Sequence, residues 1–430
     1  MNRLHRGDFL LLLALLVPLW AGGHLAPIIW ERDEVIRWLT QVSGVLALTS
    51  MLLAGILSIR LPHSDRLFGG LIDLWRRHHA LGAASLLLAI AHVWLVAAGG
   101  LGHSVASAVH RLFPGPDHWP ILAGWAALIV LVIVLAPTFK FFGEPGYARW
   151  KRLHAFSGLA LLLGIVHAWP LAQATWPWWV LGLLALAAYL WRKLLSPRIG
   201  RYTYRVERLD RLTSSMVELC LRPEEKPLDY HPAQFVYLTP LDPGLANGQG
   251  EEHPFTIASA PGEEHLRIGI KALGDGSRAL QEIAPGSPIQ VEGPYGTFLQ
   301  GHNRKRQAVW LGAGVGITPF VSAVRALARE GRSANPPVHL FQLADRREAA
   351  AYHDELERLA NTIEDLDLTL HLRERDGLLN ADFLRQHGAD FASAEFWVCG
   401  PGVVDRYVRG LLHAEGVPNS RIHSEAFHLL

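Results

Sequence analysis

The sequence predicts an α-helical six-span membrane bundle, followed by a soluble half made of a small antiparallel β-barrel and a parallel α/β sheet. Three observations predict this order. Six apolar runs near bilayer length crowd the first 195 residues. Short strands separated by turns fill 201–296, and strands alternate with helices from 307 onward.

The spans come first. A bilayer-crossing helix needs about 20 apolar residues, and the segments near 8–23, 36–59, 79–101, 119–137, 154–170 and 177–195 meet that test. Basic residues set their direction. Arg3 and Arg6 precede the first span, and Arg60, Arg66, Arg76 and Arg77 lie between the second and third. Lys140, Arg149, Lys151 and Arg152 lie between the fourth and fifth, and Arg192, Lys193, Arg198 and Arg201 follow the sixth. The opposite connections carry little beyond Arg32, Arg37 and Arg111. By the positive-inside rule both termini are cytoplasmic. The chain has two distant cysteines, Cys220 and Cys399, which form no disulfide or metal framework and fit a reducing compartment. The first run also resembles a secretory signal, but no clean small-x-small site follows it, so retention is expected. A net charge of +1 points away from nucleic acid and leaves membrane lipid as the evident macroscopic partner.

Two spans carry matched histidines. RRHHALGAASLLLAIAH (76–92) and KRLHAFSGLALLLGIVH (151–167) each have a basic pair, a His, a Gly four residues later, an apolar run and a closing His. The echo selects His78 with His92 and His154 with His167. A 14-residue spacing rises about 21 Å and falls about 40° short of four turns, so His78 and His92 share one helix face at two depths. A facing helix with His at matching depths would hold two flat cofactors, each between two imidazoles. Haem iron accepts such axial ligands. Gly82 and Gly158 would leave room for a porphyrin, and the basic pairs would meet its propionates. The 13-residue spacing of His154 and His167 lies about 140° out of phase on an ideal helix, so tilt, under-winding or a π-bulge must absorb it. A single membrane His more often hydrogen-bonds a neighbouring helix; four in two matched segments favour haem. His5, His24 and His79 lack the pattern and read as polar fillers. His103, His110 and His118, in the external 102–118 loop, read as solvated residues, with an acceptor metal as the alternative.

In the soluble half, RYTYRVERL, SMVELCLR, QFVYLTP, HLRIGIKA and PIQVEGP are the expected barrel strands. AVWLG, VHLFQL, LDLTLHL and AEFWVCG are the expected parallel strands, with helices from TPFVSAVRALARE, EAAAYHDELERLA and GVVDRYVRGLLHAEG. The first strand–helix turn, LGAGVGITPF, places Gly312, Gly314 and Gly316 where backbone can approach a phosphate at a helix N-terminus. Its G-x-G-x-G spacing departs from the common dinucleotide fingerprint and is weak by itself.

HPFTIAS (253–259), IKALGDGSRAL (270–280), VEGPYG (291–296), GAGVGITPF (312–320) and VCGP (398–401) resemble the ferredoxin-reductase-type flavin and nicotinamide domains. With the paired histidines, nearly the whole chain is similar to the NADPH oxidase/ferric reductase superfamily in its compact bacterial form. The resemblance implies a bis-haem membrane domain at 1–195, an FAD-binding barrel at 196–300 and an NAD(P)H-binding domain at 301–430. It implies that His253 and Pro254 border the FAD pyrophosphate, with His253 where Arg is common. It further implies that Phe255 packs on the flavin, that Thr256 bonds near its reactive nitrogen, and that Lys271 and Ser277 lie near the phosphates. Gly312, Gly314, Gly316 and Thr318 would seat the nicotinamide pyrophosphate, and Cys399, Gly400 and Pro401 would border the nicotinamide. Phe427 would cover the flavin or be a plain core residue. Asp345 could hold a ribose hydroxyl, and Arg346 and Arg347 a 2′-phosphate, which favours NADPH with NADH open. The implied cofactors are FAD, NADPH and two haem b groups, with His78 and His154 inner and His92 and His167 outer. The implied reaction passes electrons from cytosolic NAD(P)H across a bacterial inner membrane to an external acceptor, O2 or a ferric chelate. In oxidase relatives an Arg and a His hold oxygen; Arg37 matches the Arg, but the His position is Val96. The alternative is an NAD(P)H–flavin reductase tethered to a membrane anchor or transporter.

Overall fold

The computed structural model describes residues 5–26, 30–59, 64–138, 147–196, 200–245, 248–300 and 306–426. The chain forms two compact units, 2–196 and 197–430.

The first unit is helical: α1 (Arg6–Ala21), α2 (Arg32–Leu57), α3 (Leu71–Leu101), α4 (Val105–Leu112), α5 (Trp119–Leu135), α6 (Tyr147–His154), α7 (Ser157–Ala168) and α8 (Trp176–Leu190). Of the six expected spans, α2 and α3 alone have full bilayer length among the described residues; Trp119–Leu135, Arg152–Ala168 and Trp176–Leu190 are shorter apolar helices. Helix breakers trim the rest. Proline opens α5 and α8, α1 carries Pro18 inside its 16 residues, and a turn at Ala155 and Phe156 separates α6 from α7. That turn resolves the 13-residue phase problem without a π-bulge: His154 ends one helix and His167 lies near the end of the next.

Helices α2 and α3 form the main packed pair, and α5 packs on α7. The interior mixes Leu52, Leu71 and Leu74 with small polar residues Ser43, Thr49, Ser50 and Ser85. Small residues let helix backbones approach and satisfy hydrogen bonds locally: Thr49 Oγ1 donates to Val45 O (2.7 Å) and accepts from Trp178 Nε1 (3.2 Å). Leu87, Trp94, Ile129 and Leu183 are exposed, the apolar outer surface that a helix presents to lipid rather than to water.

The second unit begins with β1 (Arg201–Arg211), β2 (Met216–Pro223), β3 (Phe235–Pro240), β4 (His253–Thr256), β5 (Leu266–Lys271), α9 (Asp275–Leu280) and β6 (Pro288–Tyr295). The strands form one antiparallel sheet in the order β4-β3-β6-β1-β2-β5. In place of the expected closed barrel the sheet is a curled half-barrel, its ends joined by a single bridge, Ile257 to Ile268. Val217, Leu219 and Leu221 of β2 point into its core with Ile268, Ile289 and Val291, each burial contributing roughly 1.5–3 kcal/mol. The alternate residues of β2, Met216, Glu218 and Cys220, are also buried. Met216 joins the core of the following domain, so this strand is covered on both faces.

That domain contains β7 (Ala308–Ala313), α10 (Thr318–Glu330), β8 (Val338–Ala344), α11 (His353–Ala360), β9 (Leu366–Leu372), α12 (Arg373–Asp376), α13 (Ala381–Gln386), β10 (Glu395–Gly400), α14 (Gly402–Ala414) and β11 (Ile422–Ala426). The sheet is parallel, in the order β11-β10-β7-β8-β9. The chain winds outward from β7 through β8 and β9, then crosses back to β10. The reversal between β7 and β10 opens a crevice at their carboxyl ends, where ligands bind in open α/β sheets.

Candidate functional site

In the helical unit the structure brings His78 to His154, ring centres 6.1 Å apart at 79°, and His92 to His167, 6.2 Å apart at 77°. Two imidazoles bonded at about 2 Å on opposite sides of one metal have ring centres roughly 6 Å apart. The continuous helix α3 carries both His78 and His92, so the two pairs lie at separate depths, about 21 Å apart along its axis.

Nitrogen chemistry decides whether such rings can ligate. His78 Nδ1 donates to Ala54 O, His92 Nδ1 to Thr40 O and His167 Nδ1 to Pro120 O, each at 2.8 Å. A carbonyl only accepts, so the proton sits on Nδ1 and the Nε2 lone pair is left for a metal. His154 Nδ1 is buried with no hydrogen-bond partner among the described residues, and its ring stacks on Trp150 at 5.0 Å. A Cβ on Gly82 or Gly158 would meet nothing within 4 Å, which is space of the kind a porphyrin edge requires. The donor set and the space fit haem.

The basic pair before His78 is otherwise engaged. Arg77 clamps Asp8 of α1 through Nε (2.9 Å) and Nη2 (3.0 Å), and Arg76 pairs with Asp73 at 2.9 Å. The expected propionate role therefore finds both cations already partnered, Arg77 in a bidentate fork that ties α1 to α3. Arg37 likewise pairs with Glu34 at 2.5 Å. The exposed rings of His110 and His118 approach to 6.4 Å just before α5.

In the soluble unit, the turn after β7 runs through a short 3₁₀ segment, Gly314–Ile317, into α10, so the glycines stand at a helix N-terminus in the crevice. Gly314 adopts φ +56°. A Cβ on Gly316 would lie 2.2 Å from Cys399 O, and one on Gly400 would lie 2.9 Å from Ala313 Cβ. The glycine turn and the VCGP segment thus close on each other, which needs hydrogen at both positions. Thr318, buried, donates to Val315 O at 2.8 Å. Cys399 is fully buried, and burial pushes its thiol well above the usual range.

Of the residues expected to line the flavin, Lys271 reaches the glycine turn. Lys271 Nζ lies 3.5 Å from where a Cβ on Gly314 would stand, and the His253 ring packs on Gly276, where an added Cβ would displace it. His253 Nε2 lies 3.3 Å from Glu251. Pro254 and Phe255 are half-buried opposite Tyr237 and Val236, while Thr256 is buried opposite Phe235. Ser277 Oγ accepts from Leu273 N and Gly274 N, both at 2.9 Å, so it caps α9 and fixes the turn before it. At the end of β8, Asp345 pairs with Arg373 (2.8 Å) and Arg347 with Asp354. Arg346 is exposed and makes no ion pair among the described residues. Phe427 lies outside the described residues.

Two features escaped the sequence reading. Glu425, on β11, is the register partner of Cys399, and its Oε1 lies 3.6 Å from a Cβ position on Gly296 of VEGPYG. Burial pushes its carboxyl up to about 8. The signal was an acid set inside IHSEA (422–426), which continues the parallel sheet as a fifth strand. The second feature is a buried ion network. Arg325 of α10 donates to Glu218 (2.9 Å), Ala258 O (2.9 Å) and both oxygens of Glu355 (2.7 Å each), and Arg267 donates to Glu218 at 2.7 and 2.9 Å. Its signal was a lone charge in each of two apolar runs, FVSAVRAL and MVELCL.

A glycine turn at the crevice of a parallel α/β sheet, preceded by a curled antiparallel sheet, is an arrangement suited to a dinucleotide-dependent oxidoreductase. The comparisons agree. Residues 43–165 match the ferric reductase like transmembrane component, 201–298 an FAD-binding domain and 310–409 an oxidoreductase NAD-binding domain. The chain is 32% identical over 213 residues to the stachydrine N-demethylase reductase subunit Stc4 of Rhizobium meliloti, covering 46% of this chain and 58% of that one. It is 42% identical over 82 residues to mouse NADPH oxidase 1, covering 18% and 14%. A flavohemoglobin structure from Malassezia yamatoensis shares the fold at TM-score 0.50 and 17% identity, covering 93% of this chain and 99% of that one. The chain spans less than two thirds of the length of the curated relatives it matches. In series, the chain thus carries a match to a ferric reductase like transmembrane component, an FAD-binding domain and an NAD-binding domain, the make-up of an NAD(P)H-dependent oxidoreductase.

Proposed function

We propose that this chain carries electrons from cytosolic NADPH, or NADH, across a bacterial inner membrane to an external small-molecule acceptor, O2 or a ferric chelate. The reading takes 1–195 as the six-span bis-haem domain with both termini cytoplasmic, 196–300 as the FAD domain and 301–430 as the nicotinamide domain. When bound, FAD supplies the change from hydride to single electrons, and two haem b groups supply one-electron carriage.

The chain's own residues hold and orient. His78 and His154 would hold the inner haem iron, and His92 and His167 the outer. The Ala54, Thr40 and Pro120 carbonyls fix three of these tautomers. Two imidazoles offered to each iron would suit a bound haem to electron transfer rather than direct gas binding. Gly312, Gly314, Gly316 and Thr318 receive the nicotinamide pyrophosphate at the start of α10, and Arg346 meets a 2′-phosphate. His253, Pro254, Phe255, Thr256, Lys271 and Ser277 line the FAD side. Cys399, Gly400 and Pro401 border the nicotinamide, and Glu425 keeps a proton at its carboxyl beside them. Val96, standing where oxidase relatives place a His, weighs against a dedicated oxygen site and leaves ferric chelates as the comparable acceptor.

The observation that carries the proposal is the pair of imidazole couples at 6.1 and 6.2 Å with tautomers fixed by carbonyls. The test is an anaerobic spectrum of the purified full chain with NADPH. Reduced low-spin haem bands are expected, with His92→Leu and His167→Leu each losing the outer haem while flavin reduction persists. Adding oxygen or ferric citrate then separates the acceptors. A second reading draws on the flavin and nicotinamide half alone: similarity to the reductase subunits of a stachydrine N-demethylase and a glycine betaine monooxygenase suits a flavin reductase tethered to a membrane anchor. A yellow protein that reduces soluble dyes equally well without 1–195 would establish that reading and refute the first.

A further inference from the structure

The two outer imidazoles are seated on neighbouring helices in the same way. His92 Nδ1 donates to Thr40 O of α2, and the ring lies against Gly44. His167 Nδ1 donates to Pro120 O of α5, and the ring lies against Gly124. In both seats the glycine stands four residues after the accepting carbonyl. Within an α-helix that carbonyl already takes the N–H of the same fourth residue. The imidazole must use the remaining acceptor capacity, which at Thr40 is shared with Ser43 Oγ (2.9 Å), and so must approach across the surface of that fourth residue.

The space there is small. A Cβ on Gly44 would stand 3.0 Å from both Nδ1 and Cε1 of His92, and one on Gly124 would stand 2.7 Å from Nδ1 and 2.9 Å from Cε1 of His167. A methyl group would tip either ring away from its carbonyl, and most at Gly124. The inner pair is built differently. The residue four on from Ala54 is Ser58, just beyond the last turn of α2, and His154 Nδ1 has no acceptor among the described residues.

We propose that Gly44 and Gly124 are positioning residues for the outer haem: each makes room for an axial imidazole to lean on the adjacent helix, which sets its tautomer and the near-perpendicular angle of the two ring planes. The inference rests on reading His92 and His167 as haem ligands. It assigns a ligand-orienting role to two residues that touch neither iron nor substrate. Loss of an outer-shell partner typically lowers metal affinity by roughly 10–100-fold.

The test compares full-length wild type with Gly44→Ala, Gly124→Ala and Gly182→Ala, the last at a helical position where a Cβ meets nothing within 4 Å. The readouts are haem per chain and the low-temperature EPR spectrum of the oxidised protein, whose largest g value depends on the angle between axial imidazole planes. Gly124→Ala is expected to lose the outer haem or move its g value, and Gly44→Ala to move it less. Gly182→Ala should match wild type. The inner-haem signal, retained throughout, reports an intact bundle. Wild-type haem content and g values in both Gly44→Ala and Gly124→Ala would overturn the inference. If Gly124→Ala loses both haems, Gly44→Ala decides: a moved outer signal supports the seat, and an unmoved one refutes it. Two haems retained in His92→Leu and His167→Leu would instead refute the ligand assignment beneath it, whatever the glycine variants do.

Discussion

Replacing Arg325 by Met should loosen the soluble unit without touching the haem or nicotinamide machinery. Arg325 is buried, and its guanidinium joins Glu218 and Ala258 of the flavin-side half-barrel to Glu355 of α11. Methionine fills similar space and removes the charge. Breaking a buried pair from one side costs about 3–5 kcal/mol, because the partner is left uncompensated. Glu218 retains Arg267, and the Glu355 side chain is 26% exposed, so the low end applies, about 3 kcal/mol. For a unit of this size that lowers the thermal midpoint by about 6–12 °C. Flavin fluorescence on heating the holoprotein measures it. The pH dependence follows from Glu355. Burial opposes its ionisation, but the hydrogen bonds and charge of Arg325 prevail and hold its carboxyl below the usual range. The pair's stabilisation is therefore present above the ordinary Glu value of about 4.3 and fades as pH falls through the lowered one. The difference between wild type and Arg325→Met should shrink in acid. A midpoint within about 2 °C of wild type at neutral pH would refute the reasoning.

Three further outcomes are expected. Gly82→Ala and Gly158→Ala meet no protein atom within 4 Å, so they should leave the thermal midpoint unchanged while lowering haem per chain, as pyridine haemochrome assay would read. Glu425, raised to about 8 by burial, binds a proton in the folded state that the unfolded chain has released. Stability should therefore decline as pH rises from about 4.3 toward 8 and then level, and Glu425→Gln should lose that slope in a pH series of thermal midpoints. Arg346→Ala should raise KM for NADPH by about tenfold, the loss of one charge-assisted contact, and leave KM for NADH nearly unchanged in dye-reduction assays.

The sequence alone determined which pieces exist. Hydropathy separated the helical unit from the one that follows it, because apolar runs crowd only the first 195 residues. Alternation of strand and helix implied the parallel sheet, and TPFVSAVRALARE became α10 at the expected residues. The repeated His–Gly–His pattern singled out four imidazoles, which the structure brings together in pairs, because an echo between two segments is readable from local sequence.

What one segment does to another was decided only in three dimensions. The break at Ala155 and Phe156, the occupation of Arg77 by Asp8 across 69 residues, and the four-residue ion network around Arg325 all depend on partners distant in the chain. The same is true of Glu425 beside Cys399, and of the glycines at 44 and 124, whose purpose is invisible until a histidine from another helix is laid against them. Periodicity reports which face of an element is apolar; the direction of a hydrogen bond and the width of a gap are properties of packed pairs.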